Sequence, residues 1–444
     1  MTTPAERVKQ GRAARQRVGR RAQGQWQPAA DRPDPITVLI EQAADRVQEL
    51  LPIRYGRMAR TPFTFLRGAA AVLAADLANG PDSGLTVQLC GDAHLSNFGV
   101  YASPERSLLF DLNDFDETHP GPFEWDVKRL AASVAVAARG NGDPDEKARA
   151  AALAAAEAYR LHLRRLAGMG ELDVWYERLD ADALLPLVTG KRQRRVEKTL
   201  EHARRRTSLQ ALEKLTEPRD GHPRIVADPP LVEPVPVTDY RAIGKVFSQY
   251  RSSLPDDRKV LLDRYQLTDA ARKVVGVGSV GTRCFIVLLQ GRDLDDPLFL
   301  QIKEAQPSVL ARYAKGPVAQ HQGHRVVAGQ RLLQAASDIF LGWTTGPAGR
   351  HFYGRQLRDM KGSAEVERMT TGGLREYAAL CGTALARAHA RSGDRIAIAG
   401  YLGGSDTFDQ AIAEFAMRYA DQTEADHAEL LRAIEAGVLE AQDV

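Results

Sequence analysis

Cys90-Gly91-Asp92-Ala93-His94-Leu95-Ser96-Asn97 is the stretch on which the reading of this 444-residue sequence turns. It follows a short β-like run, Leu85–Leu89 (LTVQL), and precedes a second, Ser107–Leu112 (SLLFDL), which ends in Asn113-Asp114-Phe115-Asp116. Glycine and small polar residues at strand ends are turn formers first. Here they also set out a carboxylate, an amide five residues later, and another carboxylate seventeen residues beyond the amide. Phosphoryl transfer asks for such a set: one carboxylate meets the acceptor hydroxyl, while an amide and a second carboxylate hold Mg²⁺ against the nucleotide phosphates. Asp92, Asn97 and Asp114 supply it.

GDAHLSN resembles the H-G-D-x-H-x-x-N loop of aminoglycoside and choline kinases, and NDFDETHPGPFEWDVKRLA resembles their I-D-F…G-P-x-x-x-D-L-A segment. The resemblance implies that Asp92 is the catalytic base, Asn97 a metal ligand and Asp114 the metal-binding aspartate. It also implies that Asp126 braces the loop from the following helix. Cys90 stands where those kinases have their first His. Asp111 ends the strand SLLFD at a spacing closer to the usual one and stays open as the metal ligand; Phe115 after Asp114 ranks Asp114 first. Asp116 is then a neighbouring or substrate-facing carboxylate.

A glycine loop lies far downstream. Val274-Val275-Gly276-Val277-Gly278-Ser279-Val280-Gly281-Thr282-Arg283 leads into the apolar run CFIVLL, and Lys303 alternates out of a strand (LFLQIKE) about twenty residues later. Glycine lets backbone N–H groups approach phosphates. No Gly-Lys-Ser/Thr follows, so this is not a Walker A loop, and it runs into a strand where a dinucleotide fingerprint would open a helix. It resembles the glycine-rich loop and V-A-I-K strand of kinases, which places Gly276, Gly278, Ser279 and Gly281 over ATP and Lys303 at its α- and β-phosphates. The helix that should supply an acid to that lysine, HRVVAGQRLLQAAS, has no glutamate, leaving Gln330 or Gln334 as candidate acceptors, or an acid from elsewhere in the chain. HFYGRQLRDMKGS reads as a last strand running into a hinge at Gln356–Arg358, where the backbone of Gln356 and Leu357 would meet adenine.

The rest of the chain is organised around these segments. Residues 1–34 carry eight Lys/Arg against three acids and no apolar period, which predicts a flexible basic tail. Residues 35–216 read as a large helical lobe holding the catalytic and metal loops. Six prolines between Glu217 and Val237 mark a linker, 217–237. Residues 238–360 form a small lobe, and helices in 361–444 complete the large one. In ordinary kinases the glycine loop and lysine precede the catalytic loop; here they follow it by about two hundred residues, so the expected fold is α+β, two-lobed, protein-kinase-like and circularly permuted. A small antiparallel-sheet lobe faces a larger helical one.

Composition narrows the partners. The formal charge is +3, of which the tail contributes +5, so the body is near neutral and nucleic acid is not expected. KRQRRVEKTLEHARRR has acids at helical spacing and reads as a solvated helix. No stretch reaches the ~20 apolar residues of a membrane span, and Cys90, Cys284 and Cys381 are far apart, as in a cytoplasmic protein. PIRYGRM, FLRGAA, CGDAHLSNFG, GQRLLQAASDIFLGW and FAMRYADQTEADH together closely resemble the bacterial domain-of-unknown-function family 2252. The motifs imply an ATP- and Mg²⁺-dependent phosphotransferase acting on a small-molecule hydroxyl. The missing helix glutamate keeps open a non-catalytic nucleotide-binding regulator, and a protein-modifying or nucleotidyl transferase could use the same scaffold.

Overall fold

The computed structural model describes residues 2–185, 190–219, 221–236, 240–357 and 360–443. It is an α+β protein in which a helical body meets a six-stranded antiparallel sheet. The body is built on Ala-rich sequence. Phe123–Gly140, Asp145–Ala167, Thr371–Ser392 and Thr407–Glu435 are long helices whose small faces let the axes approach closely. Where Thr371–Ser392 crosses Asp145–Ala167, a Cβ on Gly382 would lie 2.1 Å from the Ala155 carbonyl oxygen, so only glycine fits there.

Two small ladders sit on this body. β1 (Thr86–Leu89) pairs with β4 (His119–Pro122), and β2 (Phe98–Ala102) lies between β3 (Leu108–Leu112) and β13 (Gly362–Ser363). Residues 90–97 therefore bridge β1 to β2, and residues 113–118 bridge β3 to β4. The antiparallel register sets the two loops side by side, and the Asn113 N–H donates to the Asn97 carbonyl at 2.8 Å.

The sheet comprises β7 (Val232–Pro234), β8 (Gln266–Lys273), β9 (Cys284–Gln290), β10 (Pro297–Glu304), β11 (Gly342–Thr345) and β12 (His351–Gln356), in the order β11-β12-β10-β9-β8-β7. Its period of two is read off the core. Val287, Leu289, Leu298 and Leu300 pack with Tyr250 and Phe340 on one face, while Ile286, Leu288 and Phe299 pack with Ala211 and Ile225 on the other. Phe299, Gln301 and Lys303 share a face by the same alternation, which carries Lys303 toward the body.

Several expectations are corrected. Residues 1–34 are not a free arm: Pro4–Arg17 is a helix with Gly11 and Ala14 buried against Arg395–Leu402. Arg20 donates to the Leu402 carbonyl, and Arg32 bridges Asp76 and Asp426. This segment docks through small residues and guanidinium groups, so it leaves no apolar period. The Pro-rich stretch is a hairpin, β5 (Thr216–Arg219) with β6 (His222–Ile225), followed by edge strand β7. Proline is tolerated at such edges. β8 is held by neighbours on both sides in spite of its polar sequence, and it ends at Lys273, just before the glycine loop. Before the first loop, the helical run from Pro62 to Ala78 breaks at Ala69, giving Pro62–Gly68 and Ala70–Ala78.

Candidate active site

Residues 90–97 are held in place by their N–H groups. The Asp126 carboxylate, on the first turn of the Phe123–Gly140 helix, accepts the N–H of Cys90 at 2.7 Å and of Gly91 at 3.0 Å. His389 Nε2 lies 3.2 Å from the same carboxylate. The Leu95 N–H donates to Ser133 Oγ, and Asn97 Nδ2 donates to the Asp92 carbonyl at 2.7 Å. Gly91 has φ +89°, and a Cβ there would lie 2.2 Å from the Glu117 carbonyl oxygen, so glycine is required.

These contacts present the Asp92 carboxylate to a cleft. Arg129, three residues after Asp126 on the same helix, donates to Asp92 Oδ1 from both Nε (2.9 Å) and Nη2 (2.6 Å). Burial pushes the Asp92 carboxyl above its ordinary range, opposed by Arg129 and reinforced by Asp114. His94 Nε2 is 3.6 Å from Asp92 Oδ2, and burial holds that imidazole well below its usual pKa, so it is neutral.

The other side of the cleft comes from β10. Lys303 is 3% exposed and pairs with Asp116, while its Nζ lies 3.8 Å from Asp114 Oδ2. Burial alone would discharge the ammonium, but Asp114 and Asp116 outweigh it and hold the Lys303 pKa well above normal. Burial would likewise raise Asp114, and Lys303 followed by Arg355 bring it below its ordinary value. Both shifts describe a charged pair. Tyr353 Oη donates to Asp116 Oδ1 at 2.7 Å. Asp92, Asp114, Asp116, Gly278 and Ser279 all line this one cleft, which encloses about 60 Å³.

The glycine loop is held in the opposite sense, by its carbonyls. Arg46 donates to the Gly278 and Val280 oxygens, Arg54 to Gly278, and Arg57 to Gly276. The Val47 N–H takes the Gly281 oxygen, and local turns take those of Val277 and Ser279. The N–H groups of Gly278, Ser279 and Gly281 donate to nothing among the described residues.

Other sequence expectations land elsewhere. Asp111 does not line the cleft: it is fully buried in an ion pair with Arg387 (2.7 Å) and accepts the Ala335 N–H. Gln330 and Gln334 do not accept from Lys303. They bond to each other at 2.9 Å, and Gln334 also donates to the Leu112 carbonyl. The Gln356 and Leu357 N–H groups are taken by Asp338 and by the Phe299 carbonyl, so neither is a free hinge donor, and Arg358 lies outside the described residues. Asn97 joins the site through Asp92, with its amide oxygen unpaired among the described residues. The sequence reading passed over Arg129, Arg46, Arg67 and Glu117. A signal existed for one of them: Glu124, Asp126, Lys128 and Arg129 crowd the first two turns of a helix whose remainder is mostly apolar, and such charges stay buried only with partners.

A family model described as an uncharacterized protein conserved in bacteria (DUF2252) matches residues 46–433. The chain belongs to DUF2252. The matched span of this DUF2252 chain runs from Arg46, the first glycine-loop clamp, through both loops and Lys303. No curated protein and no solved structure matches it. No helix among the described residues is long and apolar enough to cross a membrane.

Proposed function

We propose that this chain is a circularly permuted, kinase-like phosphotransferase that uses Mg²⁺–ATP to phosphorylate a small-molecule hydroxyl in the cytoplasm. The observation that carries it is the meeting of Lys303 with Asp114 and Asp116 in a cleft that Asp92 and the glycine loop also line. Lys303 stands on the third strand from β8, the glycine loop joins the first two, and the Gln322–Leu333 helix follows, as the glycine loop, strand lysine and helix of kinases do. The residues fit the cofactor. The uncommitted N–H groups of Gly278 and Ser279 suit phosphate oxygens. Asp114 and the Asn97 amide oxygen suit a Mg²⁺ ion, which takes one or two carboxylates and completes its shell with phosphates and water. No cluster of three His, Cys, Asp or Glu among the described residues makes a metal cage, in keeping with that mode.

When bound, Mg²⁺ neutralises charge on the β- and γ-phosphates. Asp92 orients the acceptor hydroxyl and takes its proton, Arg129 fixes the carboxylate, and Lys303 moves from Asp116 to the phosphates. The cleft falls well short of the roughly 300–1,000 Å³ of small-molecule pockets, so the sheet must part from the body to admit ATP. The same closure, with Lys303 paired to Asp116 and no helix glutamate to receive it, favours as a second reading a nucleotide-binding regulator. Calorimetric titration with Mg²⁺–ATP tests the first step: Lys303→Met should weaken binding at least tenfold, and unchanged affinity removes Lys303 from the site. Turnover of a panel of sugars, amino alcohols and aminoglycosides separates enzyme from regulator.

A further inference from the structure

Arg46 and Arg67 line the cleft, and the other arginines near it are committed to partners. Arg46, Arg54 and Arg57 hold glycine-loop carbonyls, and Arg129 holds Asp92 and the Leu66 carbonyl. Arg67 lines the cleft, yet it has no ion pair and no side-chain hydrogen bond among the described residues, and its Nε is buried without a partner. Its place is well fixed. It ends the Pro62–Gly68 helix, where the flanking Leu66 and Gly68 carbonyls are taken by Arg129 and Arg54. Its own carbonyl lies directly under the glycine loop, 3.1 Å from where a Cβ of Gly278 would stand.

Arg67 is partly exposed, and the buried Nε is the part of its guanidinium whose desolvation no partner offsets. Burial lowers the Arg67 pKa, with only Glu367 and Asp92 opposing at longer range. The Gly278 and Ser279 N–H groups on the loop above are free donors among the described residues, and the carboxylates of Asp92, Asp114, Asp116 and Glu117 line the same cleft. Unpaired backbone donors beside an unpaired arginine fork match the oxygens of a phosphate, which a guanidinium meets two at a time.

We propose that Arg67 is a phosphate-binding residue of this cleft, engaging non-bridging oxygens of a polyphosphate held under the glycine loop. The proposal deepens the phosphotransferase reading and rests on it for the identity of the polyphosphate. It adds a residue from the helices that precede the catalytic loop, two positions before the break at Ala69.

The test uses the full chain and inorganic pyrophosphate, followed by calorimetry and thermal melting, with Mg²⁺–ATP as a second probe. Arg67→Gln should melt at the same temperature as the parent or higher without ligand, because it removes an unoffset charge. It should lose at least tenfold in pyrophosphate affinity, and Arg67→Lys should recover part of it. A purely structural role predicts the reverse: a lower melting temperature and pyrophosphate affinity within twofold of the parent, which would overturn the proposal. If the parent binds pyrophosphate through Arg67 but Lys303→Met leaves Mg²⁺–ATP affinity unchanged, the phosphate site stands and the kinase reading falls. If Lys303→Met weakens ATP binding and Arg67→Gln weakens neither ligand, the kinase reading stands and Arg67 drops out. No pyrophosphate binding by the parent also rejects the proposal.

Discussion

Residues 90–97 and residues 276–282 face one cleft, and they are stabilised by opposite halves of the peptide group. In the first loop a carboxylate, Asp126, collects N–H groups, and what remains on show is an acceptor, the Asp92 carboxylate. In the second, three guanidinium groups, local turns and the Val47 N–H collect the carbonyls from Gly276 to Gly281, and what remains are donors. Buried backbone groups must be satisfied somewhere. The choice of which half is satisfied internally sets what the loop can offer a ligand. A carboxylate left on show under a donor-lined cover is the arrangement on which the proposed phosphoryl transfer rests.

The comparison breaks first at Asp92. Asp92→Asn keeps shape and most hydrogen bonds but removes the charge, so Mg²⁺–ATP binding should survive while single-turnover rates fall by a factor on the order of 10²–10⁴. Parent-like turnover would show that the first loop offers no base.

Asp111 supplies the control on the same strand. Asp111→Asn strands Arg387 in the core, where losing one partner of a buried pair costs about 3–5 kcal/mol. Denaturant unfolding should show that loss with nucleotide affinity unchanged in the folded protein; weakened Mg²⁺ binding would return Asp111 to the metal site.

On the donor side, Arg46→Met frees the Val280 carbonyl and leaves that of Gly278 to Arg54 alone. With two charge-assisted bonds gone, the loop should lose order and Mg²⁺–ATP affinity should drop about tenfold, within the worth of such bonds. The smallest effect belongs to Glu117, between the two loops, whose pKa burial raises to about 6, with the Val309 N–H partly opposing. A folded-state value above the unfolded one means that ionisation costs stability: the cost is absent below about 4.5 and complete above about 6. Glu117→Gln should therefore gain about 1 kcal/mol at pH 7.5, allowing for partial solvent contact, and nothing at pH 4.5. Thermal melts at the two pH values check the sign.

What could be read from the sequence follows from how local each feature is. The turn 90–97 and the Asp114-Phe115-Asp116 segment were legible because each lies at the end of a short strand and carries its polar residues in sequence. The alternation Phe299, Gln301, Lys303 likewise gave the direction of Lys303. Asp111 against Asp114 was not decidable, because the residue that claims Asp111 is 276 positions away. The partner of Lys303 was sought on a helix and lies instead two residues after Asp114. The first 34 residues misled because they dock by glycine, alanine and arginine, with no apolar stripe to read.

The most direct measurement is a structure of the full chain with Mg²⁺ and a non-hydrolysable ATP analogue. We predict a widened cleft with phosphate oxygens on the Gly278 and Ser279 N–H groups and on Lys303, now released from Asp116, and the metal on Asp114 with Asn97 close by. A nucleotide bound away from the glycine loop, or Lys303 still paired with Asp116 under saturating nucleotide, would contradict the phosphotransferase site.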